Sequence, residues 1–342
     1  MPATRGKKVN WKRVFNIFTV ALSVSLLAYF CLSDNGLVTL TQHMRQFRIG
    51  WLVAGFLCML ADLFLDTCLI YEFTRGIRQD YTFARAFKVC MVGHLYSAIT
   101  PFQSGGQPMQ IYVMTRQHVD PGMATSALVQ KFFVYQTGIA LYSLFAIVFQ
   151  FGHFKSTLTR LMWGLTITGF VAQILMAALL MIISFNQKIT HVLLNAAAKF
   201  LAKIHLIKDY NVTIESWKKQ VDIFHQSNQD LYKGRRMLLK TYLLTFLQLT
   251  ALFTVSFCIY RSFHIGRTPA INMICSQAFV TMVSSLIPLP GAAGASEGSF
   301  YVFFSGYFTQ ETVKSAILLW RVITYYAVIL ISAPFSRIAK DM

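Results

Sequence analysis

Six stretches of the chain stay apolar for roughly the 20 residues that a helix needs to cross a bilayer. They are Val14–Ser33, Trp51–Phe73, Thr125–Gln150, Leu161–Phe185, Leu238–Tyr260 and Val313–Pro334. Two further apolar regions, Phe83–Thr115 and Ile271–Phe308, are interrupted near their centres by proline and glycine. Proline removes a helical donor and crowds the preceding turn, and glycine permits backbone angles that a helix does not use. Each interrupted region therefore predicts two half-depth helices folded back as a re-entrant hairpin. The polar segment 186–236 has a different period. Ile189, Val192, Leu193, Ala196, Ala197, Phe200, Leu201 and Ile204 recur at helical spacing, with Lys188, Lys199 and Lys203 on or near the other face. That pattern predicts a basic helix on an anionic leaflet; a linker helix packed on the protein fits it equally. Thr213 is the expected N-cap of a following helix that carries Trp217, Val221 and Phe224 on one face.

The order of these elements is span, span, broken hairpin, span, and then the same again. Each half holds an odd number of spans, so the second half is inverted relative to the first. Paired discontinuous helices in inverted halves are a transporter layout, with the substrate site between the halves. The fold expected is an all-α polytopic membrane protein with six full spans and two re-entrant broken-helix hairpins in an inverted repeat. Its parts are a basic N-terminus (1–13), a first membrane half (14–150, hairpin 83–115), a second half (161–334, insert 186–236, hairpin 271–308) and a tail (335–342). The first span reads as an uncleaved anchor, since it is too long for a signal-peptide core.

Charge and composition sharpen this picture. Charged residues make up only 13% of the 342 residues and apolar ones 55%, with a net charge of +18. A soluble domain carries about a quarter charged residues. The basic excess follows the spans rather than forming a nucleic-acid patch. With the N-terminus inside, the inner segments hold most of the 31 lysines and arginines, whereas the outer ones hold Arg45, Arg48, Lys155, Arg160, Arg261 and Arg267. The positive-inside rule then places both termini in the cytoplasm. The six cysteines lie in or beside apolar runs without a C-x-x-C pair, so buried inert thiols are expected rather than a disulfide framework or zinc site. Motifs for a metalloprotease, a nucleotide-binding loop or a nucleophile elbow are absent from the sequence. No catalytic residues, metal or cofactor are expected.

Candidate chemistry therefore rests on polar residues at membrane depth, which are costly and rarely idle. Asp62 and Asp66 share one face of the second span by their i,i+4 spacing. Lys131 lies about two turns into the third span, close enough to its end to snorkel outward. Glu297 follows the second break, where a new helix would favour negative charge, and Arg321 is central in the last span. Glu297 and Arg321 could instead pair with each other and lock the fold. Gly105 and Gly106 offer backbone N–H groups to an anion, or simply close packing. Gln107 and Gln110 could line the same cavity, and Pro101, Pro290, Gly291 and Gly294 shape the two breaks. His94 reads as a core histidine rather than a ligand. Cations in such a cavity would meet a lipid phosphate, and carboxylates an amine on the same headgroup.

Pro290-Gly-Ala-Ala-Gly-Ala-Ser-Glu297, Thr100-Pro-Phe-Gln-Ser-Gly-Gly-Gln107, and Arg321 followed by Tyr325-Tyr326 resemble the lysylphosphatidylglycerol synthase transmembrane region. This is the flippase-like membrane domain of the multiple peptide resistance factor. The resemblance runs from about Lys12 to Ser336 and implies a bacterial-type cell membrane protein. It implies movement of phospholipid, anionic or aminoacylated, between leaflets. In full-length relatives a separate soluble domain makes the aminoacylated lipid. Here the chain stops at Met342, so the resemblance implies transport rather than lysyl transfer, with a separate synthase partner or a homo-oligomer as possible company. A membrane enzyme of headgroup modification and a non-catalytic lipid-binding subunit are the alternative readings. This sequence departs from the family where an acidic and then a basic residue usually follow the first glycine motif, since Gln107 and Gln110 stand there. It departs again at Gln130-Lys131, in place of an acidic residue and arginine. Both departures leave the headgroup open.

Overall fold

The computed structural model describes residues 47–149, 160–203 and 210–336, apart from 267, 286 and 288. The expected first span Val14–Ser33, the N-terminal segment 1–13 and most of the tail 335–342 lie outside the described residues. Those described are helical and loop, with no strand among them. The helices are α1 (Ile49–Ile77), α2 (Phe83–Ala98), α3 (Gly106–Arg116), α4 (Pro121–Phe149), α5 (Arg160–Phe185), α6 (Gln187–Lys203), α7 (Tyr210–Lys233), α8 (Arg235–Ser262), α9 (Ala270–Ser284), α10 (Ala295–Phe304), α11 (Gln310–Arg321) and α12 (Ala327–Ser332). Helices α1, α4, α5, α8 and the composite run Thr312–Ser336 are long and apolar enough to cross a membrane. Outward-facing Leu57, Leu141, Leu175, Leu239 and Leu330 are more than half exposed. Apolar faces of this extent mark contact with lipid rather than water.

The two halves repeat. The shift that carries Pro101 to Pro290 also carries Gly106, the start of α3, to Ala295, the start of α10, and Pro121, the start of α4, to Gln310, the start of α11. The same shift places α1 over α8 and α2 over α9 to within four residues. Even the breaks share a backbone shape. Each is a single 3-10 turn opened by proline, followed by two residues of positive φ: Phe102 (53°) and Gln103 (56°) in the first, Gly291 (59°) and Ala292 (49°) in the second. Three non-glycine residues in this region carry strain, which persists only where the surroundings hold it.

The breaks meet at the centre. Helices α1 and α8 run antiparallel: the Arg48 amide donates to Ser262 O at one end (3.0 Å), and Lys240 pairs with Glu72 at the other (2.7 Å). The base of the first hairpin lies at the end near Glu72. There Tyr81 donates to Gln117 (2.6 Å) and Arg78 to the carbonyl of His118, which ties the start of α2 to the end of α3. The base of the second hairpin lies at the opposite end, where Phe308 packs edge-on against Tyr260 (5.5 Å) and Phe263 (5.7 Å). The hairpins thus enter from opposite ends, and their tips, Pro101–Gln103 and Pro290–Ala292, contact each other. With 16 and 11 residues in the arms of the first, and 15 and 10 in the second, no arm is long enough to cross. At 1.5 Å per residue the shorter arms reach about 15 Å, half of a hydrocarbon core of about 30 Å.

Two expectations need correction. Thr213 is not an N-cap; it lies inside α7, which begins at Tyr210. The last apolar run is not one regular helix. A π turn, Val322–Tyr326, follows Arg321 directly and separates α11 from α12. A π turn inserts a residue into the helical ladder and commonly marks a functional position. In the insert, α6 turns Ile189, Val192, Leu193 and Phe200 outward, while its inner face is held by Asp222, which accepts from Gln187 (2.9 Å) and lies 3.0 Å from His191.

Candidate functional site: a two-lobed polar cavity

The meeting point of the hairpins borders a cavity of about 620 Å³. Of the residues singled out in the sequence, Asp62, Asp66, Gln107, Gln110, Lys131, Gly291 and Arg321 line it. Pro101, Gly105, Gly106, Gly294 and Glu297 do not; they build the breaks or stand behind the lining. His94, Gln136, Gln173, Gln248, Ser284, Ser285 and Tyr325 complete much of the polar wall.

One lobe gathers around Asp66 on α1. Lys131 from α4 places its Nζ 2.7 Å from Oδ1 and 2.8 Å from Oδ2. Cys90 Sγ from α2 donates to Oδ2 (3.2 Å), His94 Nε2 lies 3.3 Å from the same oxygen, and Gln248 Nε2 from α8 donates to Oδ1 (3.3 Å). Four helices thus converge on one buried carboxylate. Lys131 therefore points inward, contrary to the snorkelling expectation. The reason is Coulombic, because an ammonium beside a carboxylate at low dielectric is far better placed than one stretched toward an interface. Its neighbour Gln130, about 100° away around the helix, faces the insert instead. It donates to Asn228, whose Nδ2 donates to Ser184 O (2.7 Å). Asp66, Cys90 and His94 bring their ligand atoms within 4.8 Å of one another, the spacing of a metal site. The Lys131 ammonium on both Asp66 oxygens already fills the place a cation would take.

Asp62 sits one turn earlier, 4% exposed, and faces His94, Asp66, Gln248 and Lys131 without an ion pair of its own. Gln248 is equally buried, and its Oε1 has no hydrogen-bond donor among the described residues.

The other lobe is closed on itself. Glu297 is the third residue of α10; its Oε2 accepts the Gly294 amide (2.6 Å) and its Oε1 accepts Arg321 Nε (2.6 Å). A carboxylate at that position satisfies an otherwise orphaned helix-start donor and favours the helix dipole. Both side chains are about nine-tenths buried. The Arg321 guanidinium also lies 5.2 Å from the ring centres of Trp320 and Tyr325. Among the described residues its two terminal nitrogens have no hydrogen-bond partner, and Arg321 borders the cavity. Tyr325 spans the halves: its hydroxyl donates to Ala98 O at the end of α2 (2.9 Å). Its ring lies over Gly291, where any Cβ would come within 2.4 Å of the ring and would strain a backbone at φ 59°.

The first glycine pair is occupied structurally. The Gly105 amide donates to Thr100 Oγ1 (2.8 Å), and a Cβ at Gly106 would meet Ser97 Oγ at 1.9 Å. Close packing, rather than an open anion cradle, explains both. Residues that sequence reading missed include Gln248, Gln173 and Cys90. Gln248 left a signal, since buried Thr241, Thr245, Gln248 and Ser256 form a polar stripe along an otherwise apolar α8. Cys90 and Gln173 left none.

No curated protein matches the chain. A half-depth hairpin pair, a Pro-Gly-x-x-Gly-x-x-Glu break and an arginine held by that glutamate are found together here. Residues 16–332 match the family described as Lysylphosphatidylglycerol synthase TM region, and the chain belongs to that family.

Proposed function

We propose that this protein is a lipid translocase of flippase type, which moves a phospholipid, anionic or aminoacylated, between the leaflets of a cell membrane. The observation that carries the reading is the cavity itself. It lies where two inverted broken hairpins touch, and it presents unsatisfied guanidinium nitrogens in one lobe and an unpaired carboxylate in the other. Arg321 would hold the lipid phosphate, since a planar guanidinium suits phosphate oxygens. Asp62 and the glutamines would hold the polar part of the headgroup, while acyl chains stay in the bilayer. Irregular backbone at membrane depth is tolerated where it lines such a cavity, and inverted halves give a ready means of alternating access.

The same reading places both termini in the cytoplasm. The end of the molecule that carries Arg75, Arg78, Arg85 and Arg116 then faces inward. Helix α6, with its outward apolar stripe beside Lys188 and Lys199, rests on the anionic inner leaflet. In this reading a separate synthase supplies the lipid, or the protein works as a homo-oligomer.

The test is leaflet exchange of fluorescent phosphatidylglycerol and lysyl-phosphatidylglycerol in proteoliposomes, with Arg321→Ala alongside. Exchange by the parent that falls at least about tenfold (1.4 kcal/mol) in a folded variant supports the reading. A parent that moves neither lipid nor any member of a broad headgroup panel overturns it.

A further inference from the structure

The charged groups of the cavity are largely engaged with one another. Glu297 and Arg321 form one pair. In the other lobe Lys131 Nζ lies 2.7 Å from Asp66 and His94 Nε2 lies 3.3 Å from it. With His94 protonated, two cations match the two carboxylates Asp62 and Asp66, and an ammonium group entering the lobe meets no excess negative charge. What the cavity offers in quantity is uncharged hydrogen bonding. Among the described residues Gln103, Gln107, Gln110, Gln136, Gln173 and Gln248 line it. An amide presents a donor and an acceptor side by side, and a hydroxyl can answer either with one atom.

Two of these glutamines have an acceptor that the described residues leave unmet. Gln173 is 3% exposed and Gln248 4%, and the Oε1 of each has no hydrogen-bond donor among the described residues. Their partners fix which end of each amide is left over. Gln248 Nε2 donates to Asp66 Oδ1 (3.3 Å), a carboxylate oxygen that only accepts. Gln173 Nε2 donates to Ser285 Oγ (3.4 Å), whose own hydrogen goes to Met282 O (2.7 Å). A buried acceptor without a donor is costly. A hydroxyl of the cargo supplies that donor without adding charge, and Asp62, which has no ion pair among the described residues, accepts from one equally. A cavity of about 620 Å³ has room for a phosphate ester of a sugar-sized alcohol.

We propose that the cargo is an anionic phospholipid whose headgroup carries free hydroxyls, of glycerol, inositol or sugar type, and that Gln173 and Gln248 select it by accepting from those hydroxyls while Arg321 takes the phosphodiester. This rests on the translocase reading and narrows its cargo, because an amine on the headgroup then brings no gain in binding.

The test is binding, read by native mass spectrometry of the full chain in detergent. The lipids are phosphatidylglycerol, phosphatidylinositol, lysyl-phosphatidylglycerol and phosphatidylmethanol with matched acyl chains. Phosphatidylmethanol keeps the charged phosphodiester and lacks the hydroxyls. The parent should bind phosphatidylglycerol and phosphatidylinositol at least about tenfold more tightly than phosphatidylmethanol, since a site built for hydroxyls rejects the analogue without them. Lysyl-phosphatidylglycerol should bind no more tightly than phosphatidylglycerol. Gln173→Met and Gln248→Met should each weaken the hydroxyl lipids and leave phosphatidylmethanol bound as in the parent, which also reports an intact fold. Parity of phosphatidylglycerol and phosphatidylmethanol in the parent overturns the proposal and leaves water as the partner of both amides. That comparison needs no variant, so a substitution that fails to fold does not close the test. Tighter binding of lysyl-phosphatidylglycerol, or a gap that both folded variants keep, overturns it too. Leaflet exchange separates the two readings. A hydroxyl preference in binding with no movement of any lipid strikes the translocase reading and leaves the site standing; movement of all four lipids with equal binding does the reverse.

Discussion

The two lobes of the cavity are built by different elements of the two repeated halves and differ in how they treat charge. In the second half, a glutamate at the start of a helix and an arginine at the end of another close on each other; a glycine amide completes the carboxylate, and two aromatic rings flank the guanidinium on the cavity wall. In the first half, a glycine and a glutamine, Gly105 and Gln107, stand near the place the Gly294–Glu297 motif occupies. The acids there come from a full span instead. Asp66 is surrounded by groups from three other helices, and Asp62 one turn away has no ion partner among the described residues. A closed pair contributes mostly to geometry. A cluster with an unpaired member contributes a site that something else must complete.

The largest test of this contrast is Glu297→Ala. It leaves a buried guanidinium that cannot shed its proton, and such a loss costs about 3–5 kcal/mol. Thermal unfolding in a fixed detergent should show a collapse that Glu297→Ala combined with Arg321→Met largely repairs. Lys131→Met should cost a similar amount at neutral pH, but here the two lobes part. The carboxylates left behind can take up protons, so the Lys131→Met deficit should shrink as pH falls, whereas the Glu297→Ala deficit should not. Equal pH dependence in the two variants would remove the distinction drawn between the lobes.

Gly291→Ala probes the contact between halves. The added Cβ meets the Tyr325 ring and the backbone must hold φ near 59°, so a loss of about 1–3 kcal/mol is expected. Tyr325→Phe removes one hydrogen bond to Ala98 O and should cost about 1 kcal/mol. Its clearer readout is faster hydrogen exchange at the end of α2, far away in the chain. The smallest effect belongs to Asp62→Asn. With no ion pair to lose, its unfolding midpoint should correspond to a change within about 0.5 kcal/mol. A loss as large as that of Glu297→Ala would mean that Asp62 has a structural partner after all.

Particular residues show why the sequence went so far and no further. The positions of the described spans, both breaks and the repeat of the described halves were legible because each is a local property: apolar length, proline, and glycine act on the residues that carry them. Asp62 and Asp66 could be put on one face by spacing alone. Their unequal fates could not, since Lys131, Cys90, His94 and Gln248 arrive from three other helices. Lys131 shows the limit most plainly. Its depth in the span allowed an outward or an inward side chain, and only the neighbouring carboxylate decided between them. Gly105 and Gly106 show the converse, because a motif that suits an anion was already filled by Thr100 and Ser97.

What the sequence by itself determined is therefore the class of protein, the family, the order of the described spans and hairpins, and the set of costly polar residues at membrane depth. Periodicity and turn chemistry are written along one chain, and they survive any arrangement of the helices. The tertiary structure alone decided which charges cancel and which remain. Pairing is a matter of a few ångströms between segments far apart in sequence, and at low dielectric those distances separate a locked ion pair from a carboxylate that still needs a partner.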